Sequence, residues 1–298
     1  MNFFKILDTL KKQDAALIFY SLLNRIPIIV SGECSEDVNN FLIELSELIH
    51  FRKELVFYTD FISESEFENL IQNENIDYNS ERTHIRCPCN VSLKALNRFD
   101  RFYSWLIGIE IVQKQDSSLN IQRSLKKKMD VFLFIKLNSD KGEVQLEGAN
   151  LKDIDLSLEQ NFLQKITQDT EKAIAKMMRV LNEKTKFDDI DKDLMNTLLD
   201  FETEKKELKK NIIKTEMQKF FSASKRAFFI LSRLNLLRNI EINTKIGNKT
   251  LLETIDYEEA PLERIISFIN NEWNEDFYMV VENGKKVNAL DSMQSMWG

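Results

Sequence analysis

The stretch that decides the fold is Ile26-Pro27-Ile28-Ile29-Val30, a short apolar run in which β-branched residues dominate. Such a run is typical of a strand that is buried on both faces, as in parallel sheets. Ser31-Gly32 ends the run, and apolar residues at helical spacing follow over residues 37–50 and precede it over residues 3–23. The segment therefore predicts a central strand with a helix before it and a helix after it.

The same alternation continues up to about residue 150. We predict strands at residues 55–58, 84–87 and 105–112, helices at 63–72 and 91–98, and a hairpin formed by 131–137 and 143–147. Strands that alternate with helices indicate a mostly parallel sheet, and the hairpin suits a sheet edge. The predicted fold class is α/β, with a parallel or mixed sheet that has helices on both faces. Residues 1–150 are assigned to this domain, which resembles a degenerate nucleotide-binding fold.

The pattern becomes helical after this domain. Apolar residues recur at three- and four-residue steps over 156–184, and residues 190–213 carry a heptad-like seam that is typical of a coiled coil. Helical patterning continues to residue 239. We therefore predict a long helical hairpin within residues 151–240, with a basic second helix.

The last part of the chain, residues 241–298, is predicted to form a small C-terminal α+β unit. Its helix spans residues 261–273 and begins with Pro261 in the first turn. A strand at residues 277–282 follows and turns at Asn283-Gly284.

Composition limits the class of protein. The 298 residues carry a net charge of −7, which disfavours a chain coated with nucleic acid. Only three cysteines are present, so a disulfide framework is not indicated and a reducing compartment is the expectation. The first ten residues lack a signal-peptide pattern, and no apolar run is long enough to span a membrane. We expect a cytoplasmic protein without a membrane span.

The strand, loop and helix around Gly32 invite comparison with a phosphate-binding loop. That motif requires a second glycine, a lysine and a serine or threonine, but Asp37, Val38 and Asn39 occupy their places. A carboxylate there repels phosphate, so hydrolysis of a nucleoside triphosphate is not expected. A dinucleotide site is equally incomplete, because Asp60 follows the second strand without the glycines that it requires.

The cysteines and one histidine form a candidate metal site. Cys34 follows the first strand, and His84, Cys87 and Cys89 lie within six residues of one another. Strand ends on the same side of a parallel sheet meet at one rim, where four such ligands would satisfy zinc. Cys87 and Cys89 are spaced more tightly than in zinc knuckles, however, and His84 and Cys87 point to opposite sides of a strand. Small buried cysteines are the alternative interpretation.

No other catalytic group completes a motif. The only histidines are His50 and His84, and neither stands in a recognisable nucleophile setting. We therefore predict no catalytic residues.

The most informative charge feature is the helix over residues 203–240. It carries ten Lys and Arg residues against three Glu, a net charge of +7, so the remainder of the chain carries −14. Lys219, Arg226 and Arg233 are spaced by seven and share one helix face. One interpretation is a core helix whose cations cover its exposed side and contact the acidic remainder. The other is a docking helix for an acidic protein, nucleic acid or an anionic membrane.

The C-terminal tail is the second candidate for a binding segment. Met293, Met296 and Trp297 fall on one face of a short helix together with Leu290. Apolar anchors on a terminus dock into grooves, either on the same chain or on another.

Together these features favour a non-catalytic regulatory or scaffold protein that binds another protein or itself. The alternatives are a nucleotide- or nucleic-acid-binding protein that uses the strand-end rim or the basic helix, and a metal-assisted enzyme at the cysteine rim.

Overall fold

The computed structural model describes residues 3–60, 63, 65–66, 68–69, 82–98, 104–111, 125–138, 141–184, 201–242 and 244–282. Its contacts divide the chain into two compact units, Met1–Gln218 and Lys219–Gly298. The division falls inside the longest helix. The predicted domain boundaries at residues 150 and 240, and the independent folding predicted for residues 1–150, stay predictions.

A six-stranded mixed sheet forms the centre of the first unit. Its strands are β1 (Ile28–Gly32), β2 (Lys53–Val56), β3 (Thr83–Cys87), β4 (Trp105–Glu110), β5 (Phe132–Asn138) and β6 (Lys141–Glu147), in the spatial order β2-β3-β4-β1-β5-β6. The first five strands are parallel, and β6 pairs antiparallel with β5. The predicted α/β class and the hairpin at the sheet edge are confirmed.

Among the residues that the structure describes, six helices lie wholly or partly in this unit. They are α1 (Phe3–Thr9), α2 (Lys12–Leu23), α3 (Ser35–Ser46), α4 (Ser92–Arg98), α5 (Ser157–Lys184) and α6 (Phe201–Asn239). The single helix predicted over residues 3–23 is wrong in one respect, because it breaks between α1 and α2. Lys11 adopts an extended backbone there. The predicted helix at 63–72 and the start of the seam at 190–200 lie largely outside the described residues.

Helices cover both faces of the sheet. Residues 107 and 108 of β4 point to opposite faces, as successive strand residues do. Ile107 packs in a core with Ala95 of α4, whereas a side chain on Gly108 would approach Leu42 of α3. Strand β1 lies centrally and all five of its residues are buried, as its apolar sequence predicts.

Up to residue 282, the described part of the second unit contains the end of α6, two further helices and a short ladder. These elements are α7 (Asn248–Ile255), α8 (Leu262–Trp273), β7 (Ile246–Gly247) and β8 (Val281–Glu282), and the two strands pair in parallel. Aromatic rings fill its core, where Phe228 stacks on Trp273 at 4.9 Å between centroids.

Two predictions for this unit need correction. The strand predicted from Phe277 is shorter, because the Val280 N–H donates to the Phe277 carbonyl in a turn and only Val281–Glu282 enters the ladder. Pro261 precedes α8 as its cap residue instead of lying in its first turn. The predicted turn at Asn283-Gly284 lies outside the described residues.

Candidate functional site

The carboxyl ends of β1, β3 and β4 form the rim where the sequence predicts ligands. Cys34 is exposed, Cys87 is buried in the sheet core and Cys89 is half-buried. The Cys89 Sγ atom lies 3.9 Å from the Ser35 carbonyl, and its backbone N–H donates to the Asn39 side chain. The loop after β3 is therefore held against the start of α3.

The electrostatics of this rim oppose thiolate formation. Burial raises the pKa of Cys87, and it raises the pKa of Cys89 to about 11 with help from the charge of Glu110. A thiol must lose its proton to bind zinc or to act as a nucleophile. Chemistry that starts from Cys87 or Cys89 is thus disfavoured at neutral pH.

The fourth predicted ligand, His84, has another partner. Its Nε2 atom lies 2.7 Å from the Ser46 Oγ atom in the layer between β3 and α3. Across the described residues, no group of three or more His, Cys, Asp and Glu side chains is placed to hold a metal ion. The geometry lends the zinc hypothesis no support, and that hypothesis stays a prediction.

The structure explains the glycine and the acidic residues at the place where a phosphate-binding loop would lie. Gly32 ends β1, and a Cβ atom on it would lie 2.9 Å from a methyl carbon of Val38 in α3. Close packing of helix on strand therefore accounts for this glycine. Glu36 and Asp37 occupy the first turn of α3, where their carboxylates interact favourably with the positive end of the helix dipole and repel phosphate.

A polar cluster around the buried His84 and Ser46, with Glu54 and Arg86 at its outer side, has no counterpart in the sequence-based predictions. The Ser46 hydroxyl donates to the Glu54 carboxylate over 2.6 Å, and the Arg86 Nε atom donates to the same oxygen. Because the single hydroxyl proton goes to Glu54, the Nε2 atom of His84 is the donor to Ser46. Serine stands between the acid and the imidazole, so the order of a catalytic triad is not reproduced.

Charges in this cluster are strongly perturbed. Burial lowers the pKa of His84 to about 3, and the nearby Arg52 guanidinium adds to this effect. Burial acts to raise the pKa of Glu54, but the hydrogen bonds from Ser46 and Arg86 outweigh it, and the pKa is lowered overall. A neutral imidazole and a charged carboxylate are thus the native states, which suits a structural role.

The first half of the basic helix α6 is engaged within its own unit. Lys206 pairs with Glu44 at 2.6 Å, Lys209 pairs with Asp8 at 2.7 Å, and Lys210 pairs with Glu47. The acidic partners lie on α1, on α3 and directly after α3. For this half, the interpretation that cations contact the acidic remainder agrees with the geometry.

The second half of α6 presents a different surface. Lys219, Arg226 and Arg233 are all exposed. Four large apolar residues join them within an arc of about 100° around the helix axis. We call this surface the α6 face, and it consists of Lys219, Arg226, Phe229, Arg233, Leu236, Leu237 and Ile240. The exposed fractions of Phe229, Leu236 and Ile240 are 43%, 65% and 66%.

The end of α6 explains one of these exposed residues. Glu241 adopts a left-handed backbone with φ 66°, its N–H donates to the Arg238 carbonyl, and the Ile242 N–H donates to the Leu237 carbonyl. These bonds define a Schellman motif, in which an apolar contact between Leu237 and Ile242 is usual. Phe229, Leu236 and Ile240 have no such local explanation.

Comparison with known proteins gives no match: no family model fits the sequence, and neither a curated protein nor a solved structure resembles it significantly. The geometry of the chain itself therefore carries the functional argument. No helix in the described parts of the chain is both long and apolar enough to cross a membrane.

The remaining predicted residues, Met293, Met296 and Trp297, lie outside the described part of the chain. Sequence analysis found the three exposed cations through their seven-residue spacing. It did not predict that Leu236 and Ile240 are exposed, because only a structure shows that they face away from the core.

Proposed function

We propose that this protein is a non-catalytic binding protein, of a regulatory or scaffold type, that holds a protein partner on the α6 face. The proposal rests on the change from charged to apolar exposed residues along this face. Lys219 and Arg226 place positive charge at its start, and Phe229, Leu236 and Ile240 then place large apolar side chains in solvent. Clustered surface apolar residues rimmed by polar ones mark interaction sites.

The position of Arg233 supports a protein partner over the other acidic partners. It lies one turn from Phe229 and about one turn from Leu237, in the middle of the apolar part of the face. Helices that lie in a membrane surface carry their cations on the polar face instead. The phosphate groups of a nucleic acid bind cationic side chains, and apolar side chains add little to that affinity. Arginine surrounded by aromatic and aliphatic groups is typical of protein interfaces.

The apolar part of the face is tested with a matched pair of variants. Leu236 and Leu93 are each 65% exposed, but Leu93 lies on α4 in the other unit. We expect Leu236→Asp to lower the recovery of a co-purifying protein by about tenfold, a loss of about 1.4 kcal/mol, whereas Leu93→Asp leaves it unchanged. Affinity purification of the tagged full chain with quantitative mass spectrometry measures this. Equal recovery with both variants would overturn the proposal.

The charged part is tested by two triple reversals. Lys219→Glu, Arg226→Glu and Arg233→Glu change the charge on the face. Reversal of Lys172, Lys176 and Arg179, which are exposed on α5, changes the net charge of the chain equally. Only the first triple variant should lose the partner, while both keep their thermal unfolding near that of the wild type. Loss in both would indicate a general effect of charge.

A further inference from the structure

A second exposed surface of the same unit carries the opposite charge. The segment Asn274–Met279 follows α8, and within it Asp276, Tyr278 and Met279 are exposed. Tyr278 is 41% and Met279 63% exposed, whereas their neighbours Phe277 and Val280 are buried. We call Asp276, Tyr278 and Met279 the acidic loop. It combines a carboxylate with two large apolar side chains.

The local structure imposes this exposure. Phe277 is inserted into the aromatic core, 5.9 Å from Phe228 between ring centroids. The Val280 N–H donates to the Phe277 carbonyl, and the Tyr278 N–H donates to the Asp276 carboxylate. With Phe277 and Val280 turned inward, the two residues between them must point to solvent. The acidic loop is thus a fixed feature of the folded unit.

The acidic loop and the α6 face complement each other. One presents apolar groups around a carboxylate, and the other presents apolar groups around the Arg233 guanidinium. We infer that the partner of the α6 face is a second copy of this chain, whose acidic loop docks on it. This inference rests on the proposed function, because it names the occupant of the same face.

Both surfaces belong to one compact unit, so each copy supplies one helix face and one loop. The proposed dimer has a two-fold axis that places the acidic loop of each copy on the α6 face of the other, which closes the assembly at two chains. Asp276 of one copy then pairs with Arg233 of the other, and this contact occurs twice. Tyr278 and Met279 cover the apolar side chains Phe229, Leu236 and Ile240. Paired aromatic and aliphatic anchors around an arginine have the composition of interface hot spots.

The test measures the mass of the full chain by sedimentation equilibrium from 1 to about 200 µM, a range that covers weak to moderate dimers. We expect a dimer of about 70 kDa, twice the chain mass of 35.1 kDa. Arg233→Glu and Asp276→Lys should each raise the dissociation constant at least about tenfold, because each places like charges at both contacts. Leu93→Asp should leave it unchanged.

Mixing the two charge variants gives the decisive result. In a mixed dimer one contact joins Glu at position 233 to Lys at position 276, and the other is the wild-type pair. We expect the mixture to dimerise like the wild type, although neither variant does so alone. Failure of the mixture would overturn the inference. Met279→Asp provides a second probe that leaves the hydrogen bonds of the turn intact, and it too should weaken the dimer.

Other outcomes separate this inference from the proposed function. A wild-type chain that stays monomeric at every concentration overturns self-association. If the wild-type chain is monomeric but recovers a different protein, and Leu236→Asp no longer recovers that protein, the proposed function stands with another partner. Binding to vesicles of phosphatidylcholine and phosphatidylserine by a monomeric chain, abolished by Leu236→Asp, would contradict both proposals.

Discussion

The Lys209 ammonium group lies 2.7 Å from both carboxylate oxygens of Asp8, although 201 positions separate the two residues in the sequence. Lys209 is buried, and Lys206 and Lys210 pair with acids beside it. The hydrogen bond from Lys210 to Glu47 also raises the pKa of that lysine. The first half of α6 is therefore attached to α1 and α3 of its own unit through a row of cations.

We predict that Lys209→Met destabilises the protein by about 1 kcal/mol, near the upper end for such pairs because the lysine is buried although Asp8 is exposed. Urea unfolding followed by circular dichroism measures the change. Lys172→Met is the matched control, since its pair with Asp169 is exposed on a single helix, and it should cost less than about 0.5 kcal/mol. An equal loss in both variants would contradict the importance of this attachment.

The depressed pKa of His84 predicts a loss of stability in acid. The unfolded chain takes up a proton near pH 6.5, but native His84 does so only near pH 3. The contribution of His84 to the free energy of unfolding is therefore complete above pH 6.5 and is lost as the pH falls toward 3. The lowered pKa of Glu54 adds a further loss of stability, but only as the pH falls below its ordinary value of 4.5. We expect the free energy of unfolding to fall by about 2 kcal/mol between pH 7 and pH 5.

Two variants test whether His84 causes this pH dependence of the free energy of unfolding. His84→Gln keeps a polar group near Ser46 without an ionisable ring, and it should flatten the profile between pH 7 and pH 5. His50→Gln removes the other histidine and serves as the comparison variant. If the slope persists in His84→Gln, the acid sensitivity has a different source.

Strand β4 and helix α3 approach each other too closely at Gly108 for a larger side chain to fit without movement. A Cβ atom on it would lie 2.9 Å from the Cys89 sulfur and 3.0 Å from a Leu42 methyl carbon. We expect Gly108→Val to lower stability by about 1–3 kcal/mol, because side chains on two elements must move. Cys89→Ala in the same chain should recover part of the loss in thermal unfolding. No recovery would show that the α3 contacts dominate.

The end of α6 offers a stabilising substitution. Glu241 holds a left-handed backbone that glycine adopts without strain. We expect Glu241→Gly to raise the free energy of unfolding by about 0.5–1 kcal/mol. Glu241→Ala removes the same carboxylate but keeps the Cβ atom, so it should bring no gain. A similar gain from both would assign the effect to charge instead of backbone strain.

The main elements were predictable because their signals are local. The β-branched run at Ile28–Val30 and the regular apolar steps over residues 157–184 determine strand and helix with few alternatives. The break at Lys11 was not predictable, because apolar residues on both sides keep helical spacing across it. His84 became a candidate metal ligand because its neighbours in sequence are cysteines, whereas its hydrogen-bond partner in space, Ser46, lies 38 positions away in the sequence.

The sequence by itself determined the type of most elements, the excess of positive charge on the second long helix and the common face of Lys219, Arg226 and Arg233. These properties depend on residues a few positions apart, so periodicity reveals them. Only the tertiary structure decided that β1 lies between β4 and β5, that Lys209 meets Asp8, and that Leu236 and Ile240 remain in solvent. Each of these depends on which distant segment packs against a residue, and many different packings are compatible with one local pattern.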